Sequence, residues 1–113
     1  MGAAAARWKH DGMKVIDHRE GSWYLLQEDE ELLLDAHCEH RTFGYSVLIV
    51  LNLSERRAYL RRGPDALDEL ARAIDDSAPV ARGSTSRYRD RDRTSMLGHE
   101  VTEAVRAWQA ATV

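Results

Sequence analysis

The 113-residue chain lacks most of the features that identify a class of protein directly. It has a single cysteine, Cys38, only two prolines and one phenylalanine. One cysteine excludes an intramolecular disulfide, and a lone thiol is typical of a reducing cytosol. No run approaches the ~20 apolar residues that a transmembrane helix requires. These absences predict a cytoplasmic protein without a membrane span, held together by one hydrophobic core.

An excess of charge of one sign is lacking too. The chain carries 16 basic and 19 acidic side chains, for a net charge of −3. A domain that binds nucleic acid along its whole surface is typically strongly basic, so the overall charge does not favour that function. There is no P-loop, no G-x-S-x-G elbow, no H-E-x-x-H and no G-x-G-x-x-G, so no motif indicates an enzyme.

The length fits one domain, and the first residues stand apart from it. An alanine run follows Met1-Gly2, and Trp8 to Gly12 interrupt it before any apolar segment of useful length. A helix this short is marginal alone in water. We therefore expect residues 1–12 to form a flexible tail or a short helix, and residues 13–113 to form a single domain.

The first half of the domain has the two-residue period of β-strands. From Ser22 to Gln27 large apolar side chains fall on both faces, and the acidic run Glu28–Glu31 predicts the turn of a hairpin. The clearest strand is Thr42–Leu51, in which one face is apolar throughout and the other becomes apolar toward the end. This pattern predicts a central strand. Gly21 supplies a permissive backbone for the turn before Ser22.

The second half has the period of helices. Ser54 is placed to cap a first helix, and Gly63-Pro64 ends it and begins the next. Between the last two helices, residues 76–93 form a long connection in which Ser84–Tyr88 are predicted as an edge strand. Two apolar stripes mark the second and third helices: Leu67, Leu70, Ala71 and Ile74; and Leu97, Val101, Ala104, Val105 and Trp108.

This order of elements predicts an α+β fold. We expect an N-terminal antiparallel sheet of three to four strands, followed by two to three helices packed on one face of the sheet.

The densest group of chemically active side chains is Asp35–His40. Asp35, His37 and His40 could ligate a divalent metal such as zinc or transfer protons. On a strand, however, His37 and His40 point to opposite faces. The alternative interpretation is a polar strand end in which Cys38 is buried as a small hydrophobe.

The connection before the last helix is a second candidate. Residues 82–93 carry five arginines against two aspartates, and Arg87, Tyr88, Arg89 and Arg91 suit a phosphate or a nucleotide, because guanidinium groups bind phosphate and a ring can stack on a base. The alternative is a solvated loop whose charges partly neutralise one another.

The third candidate is the acidic half of the chain. Residues 17–40 hold eight carboxylates against one arginine, a net of −7. Such a field attracts basic partners, and neighbouring aromatic side chains would anchor them. The residues that form this surface are Trp23, Tyr24, Glu28, Asp29, Glu30 and Glu31. The alternative is that the two aromatic side chains belong to the core.

Of these hypotheses we favour a non-enzymatic module, comparable to an immunity protein or an antitoxin in size and charge, whose acidic aromatic surface binds a basic protein partner. Under any of the hypotheses the chain could also form a homodimer, because an uncovered sheet face or edge strand in a small domain is often buried in a dimer. A small metal-assisted enzyme at Asp35–His40, and nucleotide or RNA binding through Arg82–Arg93, are the alternatives.

Overall fold

The structure is a computed structural model that describes residues 12–112. The predicted tail, apart from Gly12, lies outside the described residues. The described part of the chain forms four strands and three helices, whose bounds are β1 (Lys14–Arg19), β2 (Trp23–Glu28), β3 (Glu31–His40), β4 (Phe43–Val50), α1 (Leu53–Arg62), α2 (Pro64–Asp76) and α3 (Thr94–Thr112). The strands form one antiparallel sheet in the order β1-β2-β3-β4. The predicted α+β class with an N-terminal sheet is confirmed. No helix within residues 12–112 is long and apolar enough to cross a membrane.

Tight turns connect the strands, and each turn contains a residue with a left-handed backbone, Gly21, Asp29 or Arg41. Gly21 has φ +76° in the β1–β2 turn, which Ser22 N closes by donating to Arg19 O. The acidic run forms the β2–β3 turn as predicted, with Glu28 paired to Glu31 and Asp29 at φ 54°. The four acidic residues Glu28–Glu31 thus form the tip of a hairpin, which we call the acidic tip.

The helices cover both faces of the sheet. Alternate residues of β2 and β3 contribute to two separate hydrophobic clusters, one on each face of the sheet. Leu25 and Leu34 pack with Leu67 of α2 on one face, which we call the first face. Leu26 and Leu33 pack on the second face beneath Val101 of α3. This arrangement differs from the expected one-sided cover, because the apolar stripe of α2 packs on the first face and that of α3 packs on the second.

Strand β4 lies at an edge of the sheet, not at its centre as predicted. Among the strands of residues 12–112 it pairs with β3 alone, and its other edge is covered by the residues just before and at the start of α3. Asp92 Oδ1 accepts from Leu48 N, and Arg93 N donates to Leu48 O. The predicted edge strand over residues 84–88 is absent from the described structure, where those residues form turns and irregular backbone.

The N-cap of α1 is Asn52, not the predicted Ser54. The Asn52 side chain accepts from Glu55 N at 2.8 Å, and the Glu55 carboxylate accepts from Asn52 N at 2.9 Å. This reciprocal pair is a capping box, which satisfies two backbone donors together. Gly63 ends α1 at φ +71°, and Pro64 begins α2, as predicted.

Candidate functional site

Helix α3 divides the second face of the sheet into two concave regions. On the side of the acidic tip, a groove of about 500 Å³ runs past Met13, Glu28 and Glu103. On the other side the sheet is open between its strand ends and α3. Two adjoining cavities there, of about 230 and 280 Å³, share Tyr24 and Asp35 in their walls. We call this second region the Asp35 cleft.

The Asp35 carboxyl group is the chemical centre of the cleft. Burial raises the pKa of Asp35 to about 6, the nearby Asp92 carboxylate adds to this effect, and His37 opposes it. No hydrogen bond or ion pair to the Asp35 side chain is present among residues 12–112. A carboxyl group that is mostly withdrawn from water and lacks a donor is costly to ionise, so it favours either a proton or an added cation.

His37 and Ser46 extend the cleft beyond Asp35. The two residues are cross-strand partners in the β3–β4 pair, and both line the cavity that contains Asp35. The His37 ring is half-exposed and its Nε2 lies 3.7 Å from Glu39 Oε2. Gly44 leaves room for this ring, since a Cβ at position 44 would come within 2.9 Å of His37 Cε1. The cleft therefore combines a largely desolvated carboxyl group with an accessible imidazole and a hydroxyl.

An aromatic cluster forms the wall next to α3. The His18 and Trp108 rings meet edge to face with centroids 4.5 Å apart, and Tyr24 lies 5.8 Å from Trp108. His18 also stacks on Tyr24 at 6.1 Å. These contacts join β1, β2 and α3, and they fix the Tyr24 ring beside Asp35, its cross-strand partner. The aromatic wall is thus a preformed part of the cleft.

The predicted acidic aromatic surface is split by the fold. Trp23 is only 1% exposed and lies in the core of the first face, so it does not reach the surface. Tyr24 lies on the second face in the Asp35 cleft, whereas the acidic tip lies on the far side of α3. Tyr24 and Asp35 lie side by side in the cleft, although they were predicted to belong to different candidate sites.

The predicted metal ligands are only partly brought together. Asp35 and His37 share the second face, while the His40 ring contacts Phe43, whose own neighbour Tyr45 packs against the core of the first face. Within residues 12–112 no three His, Cys, Asp or Glu side chains are grouped closely enough to hold a metal ion. Cys38 is buried, as the alternative interpretation predicted.

Two of the four residues of the predicted arginine site have structural contacts that make them unavailable to a ligand. Tyr88 is 4% exposed and belongs to the core, so its ring cannot stack on a base. Arg91 forms a bidentate pair with Glu55 and also donates to Val50 O. Arg87 and Arg89 are exposed, and Arg87 lies over the Tyr88 ring at 5.3 Å.

A larger cavity of about 520 Å³ lies at the edge of β4. Its charged residues are both engaged within the chain: Arg89 donates to Ala81 O, and Asp92 Oδ1 accepts from Leu48 N, Thr94 N and Thr94 Oγ1. We place the candidate site at the Asp35 cleft because, among the described residues, no hydrogen bond or ion pair engages the Asp35 carboxyl group.

Several residues of the cleft were not predicted from the sequence. They are distant from Asp35 along the chain, because they come from β1, the β1–β2 turn, β4 and α3; they are His18, Ser22, Ser46, Arg106, Trp108 and Gln109. The signal that could have found Ser46 is the hairpin register, which sets it opposite His37.

Comparison with known proteins identifies no relative. No family model matches the chain, and neither a curated protein nor a solved structure shows significant similarity to it.

Proposed function

We propose that the protein is a non-enzymatic binding module whose Asp35 cleft receives a cationic side chain, arginine or lysine, of a basic partner protein. The observation that carries this proposal is the Asp35 carboxyl group, mostly buried and without a donor among the described residues, at the meeting point of two cavities.

The chemistry of the cleft suits a guanidinium group. A planar cation between Asp35 and the ring of Tyr24 would satisfy the carboxylate with two parallel hydrogen bonds and could stack on the aromatic face. Binding would offset the cost of ionising Asp35 inside the fold, and this cost is what makes the site receptive.

The charge around the cleft supports a basic partner. Residues 17–40 carry a net charge of −7; four of their carboxylates form the acidic tip on the far side of α3, whereas Asp35 and Glu39 share the strand face of His37 in the cleft. Such a field raises the rate at which oppositely charged proteins meet, and salt screens it. A location in the cytoplasm belongs to this proposal, because the single thiol Cys38 suits a reducing compartment.

The test is an NMR titration with N-acetyl-arginine amide, with N-acetyl-citrulline amide as the uncharged control of the same shape. We expect saturable shifts at the amides of Tyr24, His37 and Ser46 with the arginine compound only. Asp35→Asn should abolish them, whereas Glu20→Gln, a neutralisation in the exposed β1–β2 turn, should leave them in place. Equal responses to the two compounds, or shifts that persist in Asp35→Asn, would contradict the proposal.

A second candidate is an enzyme that transfers protons between Asp35 and a small substrate. The observation that favours it is a carboxyl group with a pKa of about 6 beside His37 in a cavity, since perturbed groups of this kind concentrate at active sites. Hydrolysis of p-nitrophenyl phosphate or acetate that follows the ionisation of Asp35 and disappears in Asp35→Asn would support it. Parent and variant rates equal to buffer alone would remove it.

A further inference from the structure

An ordinary surface helix turns its apolar face toward the protein, but the leucines of α1 face solvent. These leucines, Leu53 and Leu60, are 61% and 74% exposed and lie seven residues apart, so they share one face. On the side turned toward the protein, Glu55 pairs with Arg91, and Tyr59 packs its ring partly against the core of the first face and donates its hydroxyl to Asp17 at 2.8 Å. Within the described structure none of the ten residues of α1 is buried. Within residues 12–112 no contact explains why Leu53 and Leu60 point outward.

Arginines flank the exposed leucines. On a helix with 3.6 residues per turn, Arg57 and Arg61 lie on one side of the Leu53–Leu60 line and Arg56 on the other. In the described part of the chain Arg57 and Arg61 form no ion pair. The outer surface of α1 is therefore an apolar ridge with uncompensated positive charge beside it, which calls for an acidic partner.

A surface of the opposite charge adjoins α1 in the same molecule. The Arg56 guanidinium donates to Glu30 O, so the helix lies directly against the acidic tip. The side chains of Asp29, Glu30 and Glu31 are exposed, and no ion pair engages them within residues 12–112. A basic apolar ridge and an acidic tip stand next to each other.

We infer that these two surfaces join two copies of this chain in a two-fold dimer. A two-fold axis that passes between two adjacent patches of opposite charge places each patch opposite the complementary patch of the other copy. The dimer would therefore contain two equivalent contacts, each between the ridge of one copy and the acidic tip of the other. Antiparallel packing of α1 on its own copy would instead bring Arg56 and Arg57 against their equivalents. This contact is separate from the Asp35 cleft and stands independently of the function proposed for it.

Sedimentation velocity of the full chain, from micromolar to millimolar concentration, tests for the dimer. We expect the dimer fraction to grow with concentration and to shrink as salt is added, because salt screens the charged contacts. Leu60→Glu should raise the dimer Kd by about tenfold or more. Met96→Glu is the matched control, since Met96 is 72% exposed on α3 and outside the proposed contact.

Reciprocal charge exchange tests the pairing itself. The variant Arg57→Glu/Arg61→Glu has two acidic surfaces, and the variant Glu30→Lys/Glu31→Lys has two basic ones, so each alone should be monomeric. Mixed together they should form a mixed dimer, detected by native mass spectrometry as the sum of the two masses. Glu20→Lys, at the opposite end of the hairpin, should dimerise like the parent chain.

Three results would overturn the inference: a parent chain that is monomeric at millimolar concentration, a dimer that survives either exchange, or a mixture that does not associate. Binding of labelled single-stranded RNA by a monomeric parent chain, lost in Arg57→Glu/Arg61→Glu, would instead assign the ridge to nucleic acid.

Discussion

The Trp23 indole Nε1 donates a 2.8 Å hydrogen bond to Asp68 Oδ1, which ties β2 to α2 across the core of the first face. The same carboxylate accepts from Arg19 Nε at 3.2 Å. The hydrogen bond from Trp23, followed by that from Arg19, lowers the pKa of Asp68 below its usual value. One carboxylate thus satisfies a buried indole and an arginine of the edge strand together.

Trp23→Phe keeps most of the buried ring and removes the donor. We expect it to lower the free energy of unfolding by about 1–2 kcal/mol, because Asp68 loses a charge-assisted hydrogen bond. Urea denaturation followed by circular dichroism measures this change. Since the pKa of Asp68 is lowered in the fold, its ionisation stabilises the protein at neutral pH, and this contribution is lost as the pH falls through the folded-state pKa. A variant as stable as the parent at pH 7 would contradict the role given to the hydrogen bond.

Asp35→Asn should make the protein more stable at neutral pH. Burial raises the pKa of Asp35 from 3.8 to about 6, so the folded state holds this proton more tightly than the unfolded chain does. The corresponding stability is present below pH ~4 and is lost as the pH rises through about 6, with a shift worth on the order of 3 kcal/mol. The variant should gain that amount at pH 7 and match the parent at pH 4 in thermal unfolding.

The effect of the Asp92 carboxylate on the pKa of Asp35 can be tested separately. Asp92→Asn removes a carboxylate that raises the pKa of Asp35, so carbon-13 NMR of the Asp35 carboxyl group should give a lower pKa in that variant. An unchanged or higher value would show that the two groups do not interact.

Asn52→Ala should destabilise the protein by about 1 kcal/mol, the usual cost of losing an N-cap. Its matched control is Ser54→Ala, which removes a hydroxyl of the same helix end that takes no part in the capping box. Chemical denaturation of both variants distinguishes the two candidate caps. Equal losses would mean that the capping box contributes nothing specific.

Arg91→Ala should cost about 2–3 kcal/mol, because it leaves Glu55 partly buried without its partner. Burial raises the pKa of Glu55, but the hydrogen bonds from Arg91 and Asn52 outweigh it, and the net pKa is lowered. Arg91→Lys should rescue little, since one ammonium group cannot reproduce contacts to both Glu55 and Val50 O. Arg87→Ala, on the exposed side of the same loop, should be nearly neutral. Differential scanning calorimetry of the three variants measures their thermal stabilities and so tests this expected order.

The local elements of the fold could be predicted from the sequence, but their environment could not. Alternation along Thr42–Leu51 identifies β4, and its apolar residues on both faces suggest a central position. That burial arises from helices on both faces, with α2 beneath Ile49 and α3 above Leu48, so it gives no information on sheet order. The N-cap of α1 could have been predicted from the sequence, because Asn52 precedes Glu55 by the three residues of a capping box.

The candidate site was predictable only in parts. Alternation places Trp23 and Tyr24 on opposite faces, yet which side chain stays accessible depends on where α2 and α3 pack. Asp35 was recognised as chemically active, but its neighbours come from segments distant in the sequence, including Ser46 and Trp108. A single sequence shows residue types and spacing, whereas the cleft depends on strand register and on the path of α3.

The cover over the edge of β4 gives α3 a role in keeping the chain from aggregating. The Leu48 amide is bound by Asp92, beside the first turn of α3, and the Leu48 side chain lies beneath α3. Detachment of α3 would therefore uncover an open strand edge and an apolar sheet face in one step, the combination from which intermolecular β-structure grows. Deuterium exchange at the Leu48 amide reports how often this opening occurs, and its rate should set the rate of fibril formation on mild heating.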